Sequence, residues 1–124
     1  MNVDVYLNYA GTCEPAFRFY EQQLGGRIVM MVKHENQPGV LHAVIEIGGT
    51  LVRGADIPGA EPMRSAYLTL RVDSIEEAER IYLLLTEGGQ IFMKMEETFF
   101  AKRFAMFRDK FGTSWLLMHQ RAAT

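Results

Sequence analysis

Gly25-Gly26-Arg27-Ile28-Val29-Met30 returns 63 residues later as Gly88-Gly89-Gln90-Ile91-Phe92-Met93. The echo extends both ways. Gly49-Thr50 returns at the same spacing as Gly112-Thr113, while Thr12, Glu14, Ala16 and Arg18 return as Ser74, Glu76, Ala78 and Arg80 at a spacing of 62. A near-constant offset of half the chain describes one module written twice, with one residue added in the second copy. Two copies of so long a unit do not make a solenoid, which stacks at least three shorter repeats. They make a duplicated domain with internal pseudo-symmetry.

The 124 residues are enough for about one domain with an ordinary hydrophobic core. Hydrophobic residues make up 48% and charged residues 23%, as in soluble globular proteins. A net charge of −2 gives no electrostatic case for nucleic acid or an anionic membrane surface. The single Cys13 excludes an intramolecular disulfide and a four-cysteine zinc site, and suits a reducing compartment. Asp4 and Asn8 interrupt the N-terminal apolar run, so no signal peptide is expected. No run approaches the ~20 apolar residues of a membrane helix. The composition predicts a soluble cytoplasmic protein that binds neither nucleic acid nor membrane.

Residues 3–9 read as a strand, with Val3, Val5, Leu7 and Tyr9 on one face and Tyr6 on the other. Thr12 is placed to cap the helix that follows, and Pro15 falls in its first turn, where backbone N–H groups lack helical partners. Ala16, Tyr20 and Leu24 recur at helical spacing, flanked by Phe17 and Phe19, before Gly25-Gly26 stops the helix. Two strands follow over Arg27–Lys33 and Val40–Ile47, and Gly48-Gly49 is a two-residue hairpin signal leading into residues 50–53. Residues 57–62, with two prolines and a glycine, form the linker at the midpoint. In the second copy, strands are expected at 66–72, 91–95, 104–108 and 114–118. Its helix opens on the capping box Ser74-Ile75-Glu76-Glu77, and Ala78, Ile81, Tyr82 and Leu85 form the buried stripe. Residues 121–124 read as a loose tail.

The expected architecture is therefore α+β, with one domain over 1–124. Its two tandem β-α-β-β-β modules, 1–56 and 65–119, are joined by a linker at 57–64. Each sheet covers one face with its helix and leaves the other over. Two such sheets curled together make a cupped, eight-stranded mixed sheet whose inner face would take a small molecule.

This pattern resembles the vicinal oxygen chelate superfamily of glyoxalase I, bleomycin-resistance proteins and extradiol dioxygenases, and most closely its PhnB-like branch. The residues that carry the likeness are Tyr6-Leu7-Asn8-Tyr9-Ala10-Gly11-Thr12-Cys13-Glu14, Phe19-Tyr20, Leu24-Gly25, His42-Ala43, Ile47-Gly48, Asp56, Glu97-Thr98-Phe99 and Asp109-Lys110-Phe111-Gly112 with Trp115. The last segment is the most specific. The connection between the second and third strands is shorter than in many relatives.

The resemblance implies a fold, a homodimer and, in metal-using members, ligands from the first and last strand of each module. Alignment by the repeat puts those positions at Val5, Arg53, Tyr67 and Leu116, with Val52 and Trp115 one residue away. None is a normal ligand for zinc, nickel or iron, and an arginine there would repel a divalent cation. The expectation is no cofactor and no metal, a displaced metal site being the disfavoured alternative. His34 and His119 have no obvious cluster. His42 and Glu46 share a strand face but sit ~13 Å apart, at ~3.3 Å per residue.

Several candidates carry a bland reading beside a functional one. His42 is either a general base or hydrogen-bonding group, or a structural histidine bonded to backbone. Arg53, mapped inward, needs an anionic ligand or a carboxylate, for which Glu97 is the candidate. Tyr67, with Thr69 two residues on, offers a hydroxyl or only packs. Phe99, Phe100, Phe104 and Phe107 suit core and dimer packing, and the eight methionines fill gaps. Asp109 beside Gly112 stabilises a turn. Cys13 near a helix start could have a lowered pKa.

Two functions of different class follow. One is a glyoxalase-like or dioxygenase-like protein that binds a small oxygen-rich or anionic molecule without the usual metal, through Arg53, Tyr67, His42, Thr69 and Glu97. The other is a metal-dependent lyase, isomerase or dioxygenase with a displaced metal site. No nucleotide-cofactor fingerprint is visible, so methyl transfer finds no support.

Overall fold

Each copy of the repeat closes a sheet of its own. The structure, a computed structural model, describes residues 1–121, so the expected loose tail lies, for 122–124, outside the described residues. The chain divides into two compact units, Met1–Glu61 and Pro62–Thr124. Among the described residues, no helix is long and apolar enough to cross a membrane.

The first unit runs β1 (Tyr6–Tyr9), α1 (Cys13–Gln23), β2 (Arg27–Lys33), β3 (Val40–Ile47) and β4 (Thr50–Asp56). The second runs β5 (Leu68–Arg71), α2 (Ile75–Thr86), β6 (Gln90–Glu96), β7 (Ala101–Arg108) and β8 (Ser114–Gln120). Both sheets are mixed and share one order, β1-β4-β3-β2 and β5-β8-β7-β6, with the first and last strands parallel and the others antiparallel. These are the eight strands and two helices expected of two β-α-β-β-β modules. The parallel pair is possible because α1 and α2 supply the crossover that a hairpin cannot.

The repeat survives in detail. A register shift falls between Ile28 and Met30 in β2 and again between Ile91 and Met93 in β6, so the strand that opens on the double glycine is bulged at the same place in each unit. The helices differ by one residue, α1 having 11 and α2 having 12.

The helices bury most of the stripes read from spacing, while Leu24 falls at the C-cap of α1 and, like Tyr82, is only half-buried. Cys13, Ala16, Phe17 and Tyr20 of α1 are buried, as are Ala78, Ile81 and Leu85 of α2. Tyr82 sets its ring edge-on to Phe107 of β7 at 5.9 Å. Each large apolar side chain buried this way contributes about 1.5–3 kcal/mol. Gly54 admits α1 closely, because a Cβ there would stand 2.9 Å from both Leu7 O and Phe17 Cζ. The Gly48-Gly49 turn has both glycines at positive φ, as a two-residue hairpin requires.

Several local expectations change, and in the second unit β5 spans only Leu68–Arg71 rather than 66–72 while β7 starts at Ala101 rather than 104. The first strand starts at Tyr6 rather than residue 3, and Val3 is 91% exposed, because β4 offers partners only from Arg53 onward. Strand β4 continues through Gly54 to Asp56, since that glycine faces a helix rather than a turn. Thr12 makes no side-chain cap. Instead Asp56 at the end of β4 accepts the N–H groups of Gly11 (2.8 Å) and Cys13 (3.0 Å) on Oδ1 and that of Val40 (2.8 Å) on Oδ2. Ser74 does cap α2, accepting the N–H of Glu77 at 3.1 Å, while the Glu77 carboxylate pairs with Arg80. Asp109 holds the β7–β8 turn as expected. Its Oδ1 accepts from Phe111 and Thr113 N–H, and its Oδ2 accepts from the Trp115 indole at 2.9 Å.

Candidate functional site

Strand alternation decides which side chains leave the core. Gly54 faces α1 and pairs with Leu7 and Ala43, so Leu7 and Ala43 share its face, with Tyr9, Ile45 and Val52. The opposite face of the first sheet then carries Tyr6 and Asn8 from β1, Arg53 and Ala55 from β4, and His42 and Val44 from β3.

On this open face, the Tyr6 hydroxyl and His42 Nδ1 share a hydrogen bond of 3.0 Å, and their rings stack at 5.7 Å with 25° between planes. Ala55, opposite Asn8 on the same face, presents only a methyl group. The pairing orients the imidazole through Nδ1 and leaves Nε2 outside that bond. Arg53 lies in β4 directly opposite Tyr6 and Val44. Its guanidinium is 3.6 Å from Asp4, with side-chain exposures of 32% for Arg53 and 61% for Asp4. An ion pair that open is worth only about 0–1 kcal/mol, so Asp4 is a weak competitor for an anion. Glu46, on the same face, is 3.8 Å from Arg27.

Each residue of the expected Arg53–Glu97 pair has a partner within its own unit: Arg53 has Asp4, and Glu97 pairs with Arg121. Both partners come from distant positions in the sequence of that unit, brought near by the sheet. Val5 was mapped as an open-face position, but Leu7 and Tyr9 with the same parity are buried against the helix, and the open-face residue is Tyr6. The alternation had already set Tyr6 apart in the sequence. It was missed because the repeat was aligned at an offset of 62 in the first strand. The ladders pair Tyr6 with Arg53 and Thr69 with Leu116, an offset of 63, so Val5 corresponds to Leu68 rather than Tyr67.

In the second unit, Phe107 faces α2 and pairs with Trp115, which puts Leu116 and its partner Thr69 on the opposite, open face. Tyr67 shares the parity of Thr69 and sets its ring edge-on to Phe92 at 6.4 Å. Thr69 is exposed and Tyr67 half-buried.

These donor sets do not fit a divalent metal. Among the described residues no three His, Cys, Asp or Glu side chains gather. His42 Nδ1 is engaged by Tyr6, and His119 Nδ1 lies 2.9 Å from Val72 O. His34 lines an open cleft of about 460 Å³ with Gln37, Asp56 and Pro58, but both Asp56 oxygens there accept backbone N–H groups. Cys13 reverses its expectation. Burial pushes its thiol up to about 12, helped by the nearby Asp56 and Glu14 carboxylates, so it is an inert core group.

Known proteins resemble this chain in sequence and fold. Protein YjdN of Escherichia coli is 28% identical over an alignment covering 94% of each chain. The crystal structure of protein PA1353 from Pseudomonas aeruginosa is 32% identical, covers 97% of this chain and 98% of its own, and superposes with a TM-score of 0.87. The PhnB protein from Bacillus cereus, 23% identical over 96% of this chain and 99% of its own, superposes at 0.86 and shares the fold. Residues 3–117, nearly the whole repeat, match the family pattern itself, and the chain belongs to the Glyoxalase/Bleomycin resistance protein/Dioxygenase superfamily.

Proposed function

We propose that this protein binds a small oxygen-rich or anionic molecule on the open face of its first sheet, without a divalent metal. Arg53 supports this reading most directly: a half-exposed guanidinium on that face, with a weak, exposed counter-ion and a Tyr6–His42 pair nearby. A planar guanidinium can hold two ligand oxygens at once. His42 Nε2 then serves as a hydrogen-bonding group, or as general base if a proton is removed, with Tyr6 fixing the ring. Tyr67 and Thr69 are proposed as ligand-facing groups of the second unit. Glu97, engaged by Arg121, is left out.

The test is a thermal-shift screen of small keto and hydroxy acids on wild-type protein and Arg53→Met. Ligands that stabilise the wild type should lose their effect in the variant, while its unliganded stability changes by less than about 1 kcal/mol. Ligands that stabilise both proteins equally would remove Arg53 from the site. Tyr67→Phe and Thr69→Ala test the second unit in the same screen. Stoichiometric zinc, nickel or iron that raised the melting temperature of untagged protein would favour the metal-dependent alternative.

We further propose a cytoplasmic homodimer. Phe99 is 91% exposed and meets Phe100, itself 40% exposed, edge to face, and self-association would cover such surface. Light scattering that returned a mass near 14.1 kDa at high micromolar concentration would count against the dimer. Fractionation with periplasmic markers would count against the location.

A further inference from the structure

The arginines of the second unit fall into two groups. Arg80, Arg103 and Arg121 pair with Glu77, Glu79 and Glu97. Arg64, Arg71 and Arg108 have no carboxylate partner among the described residues. Arg71 and Arg108 lie on the open face of the second sheet, since Arg71 pairs with Met118 and Arg108 alternates with the helix-facing Phe107.

Two of the three converge on one ring. The bulge between Ile91 and Met93 leaves Phe92 as the extra residue of β6, and its ring meets Tyr67 on the open face. The Arg108 guanidinium carbon stands 5.5 Å from the Phe92 centroid and that of Arg64 stands 5.6 Å from it. Arg108 is further held by donating to Gln90 Oε1 at 3.0 Å and Met63 O at 3.5 Å. Arg64 donates to no group among the described residues. It is followed by Ser65 at φ 59°, the one left-handed non-glycine among the described residues, in the turn between Arg64 and Tyr67. A ring face attracts a cation without using its N–H donors, so those of Arg64 stay available beside the ones Arg108 does not spend on Gln90 and Met63. Two like charges at one ring, without a counter-ion, repel each other until an anion joins them.

We propose that Arg64 and Arg108, presented by Phe92, form a binding site for a compact tetrahedral oxyanion: phosphate, or the phosphoryl group of a small molecule. A dianion offsets both charges, and its separate oxygens reach donors from two side chains, which a single carboxylate does less well. The site is independent of Arg53 and of the reading built on it.

The test uses the full chain, titrated calorimetrically with inorganic phosphate and with phenyl phosphate at ionic strength matched by chloride. Either ligand should bind saturably with one site per chain. Arg64→Gln, which removes an exposed side chain without a structural hydrogen bond, should weaken binding about tenfold, and Phe92→Leu should weaken it as well. Arg53→Met should leave it unchanged. Binding of phenyl phosphate alone identifies the phosphoryl group of a larger molecule as the ligand. Binding of neither, or binding unaffected by Arg64→Gln, overturns the proposal. Binding lost in Arg53→Met but kept in Arg64→Gln overturns it too, and assigns the anion to the first sheet.

Discussion

Replacing Asp56 by alanine tests how the first unit is tied together. One carboxylate closes the β1–α1 turn and the start of β3 by accepting three backbone N–H groups at 2.8, 3.0 and 2.8 Å. The Gly11 bond is exposed, so water replaces it at little cost. The Cys13 and Val40 bonds are partly buried, and hydrogen bonds to a charged group contribute about 1.5–3 kcal/mol each. Discounting for their partial exposure, Asp56→Ala should cost about 2–4 kcal/mol, or roughly 8–15 °C of melting temperature for a chain of this size. Asp56→Asn keeps one acceptor oxygen and should recover about half of the loss. Thr12→Ala is the internal control: Thr12 precedes the helix but its hydroxyl caps nothing, so its loss should cost under about 0.5 kcal/mol rather than the ~1 kcal/mol of a working cap. Urea and thermal unfolding followed by far-ultraviolet circular dichroism measures all three. A Thr12→Ala cost equal to that of Asp56→Ala, or an Asp56→Ala cost below about 1 kcal/mol, would refute the assignment.

Two further outcomes follow from the core. Burial pushes the Cys13 thiol from an ordinary 9.0 up to about 12 in the folded chain. Above pH 9 the unfolded chain therefore loses a proton that the native chain keeps, and stability falls. Relative to pH 8, the loss at pH 10 should be about 1.4 kcal/mol, absent in Cys13→Ala, and a thiol reagent should react only on unfolding; rapid labelling of native protein would contradict this. Gly54→Ala should destabilise by about 1–3 kcal/mol, because its methyl group would meet the Leu7 carbonyl and the Phe17 ring at 2.9 Å. A neutral result would mean that α1 packs less closely on β4.

The duplication was legible in the residues themselves, and so was most of the fold. Double glycines can end a helix and open a strand wherever they stand, and the helix stripes Ala16/Tyr20 and Ala78/Ile81/Leu85 follow from a 3.6-residue period that needs no partner to be seen. The arrangement of β2 and β3 was equally local, because Gly25-Gly26 and Gly48-Gly49 bound them. Residues 3–9 could not announce that their strand would start at Tyr6, since its length depends on a partner 47 positions away at Arg53.

The candidate sites lay further from view. Alternation showed that Tyr6 pointed away from Leu7 and Tyr9, but its hydrogen bond joins it to His42 across an intervening strand. The Arg53 counter-ion depended on which carboxylate the folded chain brought near, and Asp4 arrived through the parallel pairing of β1 with β4. Phe92 holds two arginines because a bulge re-aims its ring, and a bulge is a property of the ladder rather than of either strand alone. Local periodicity is written in a few consecutive residues. Charge partners, thiol acidity and side-chain direction at a bulge are set by atoms far off in sequence, which only the tertiary structure brings within a few ångströms.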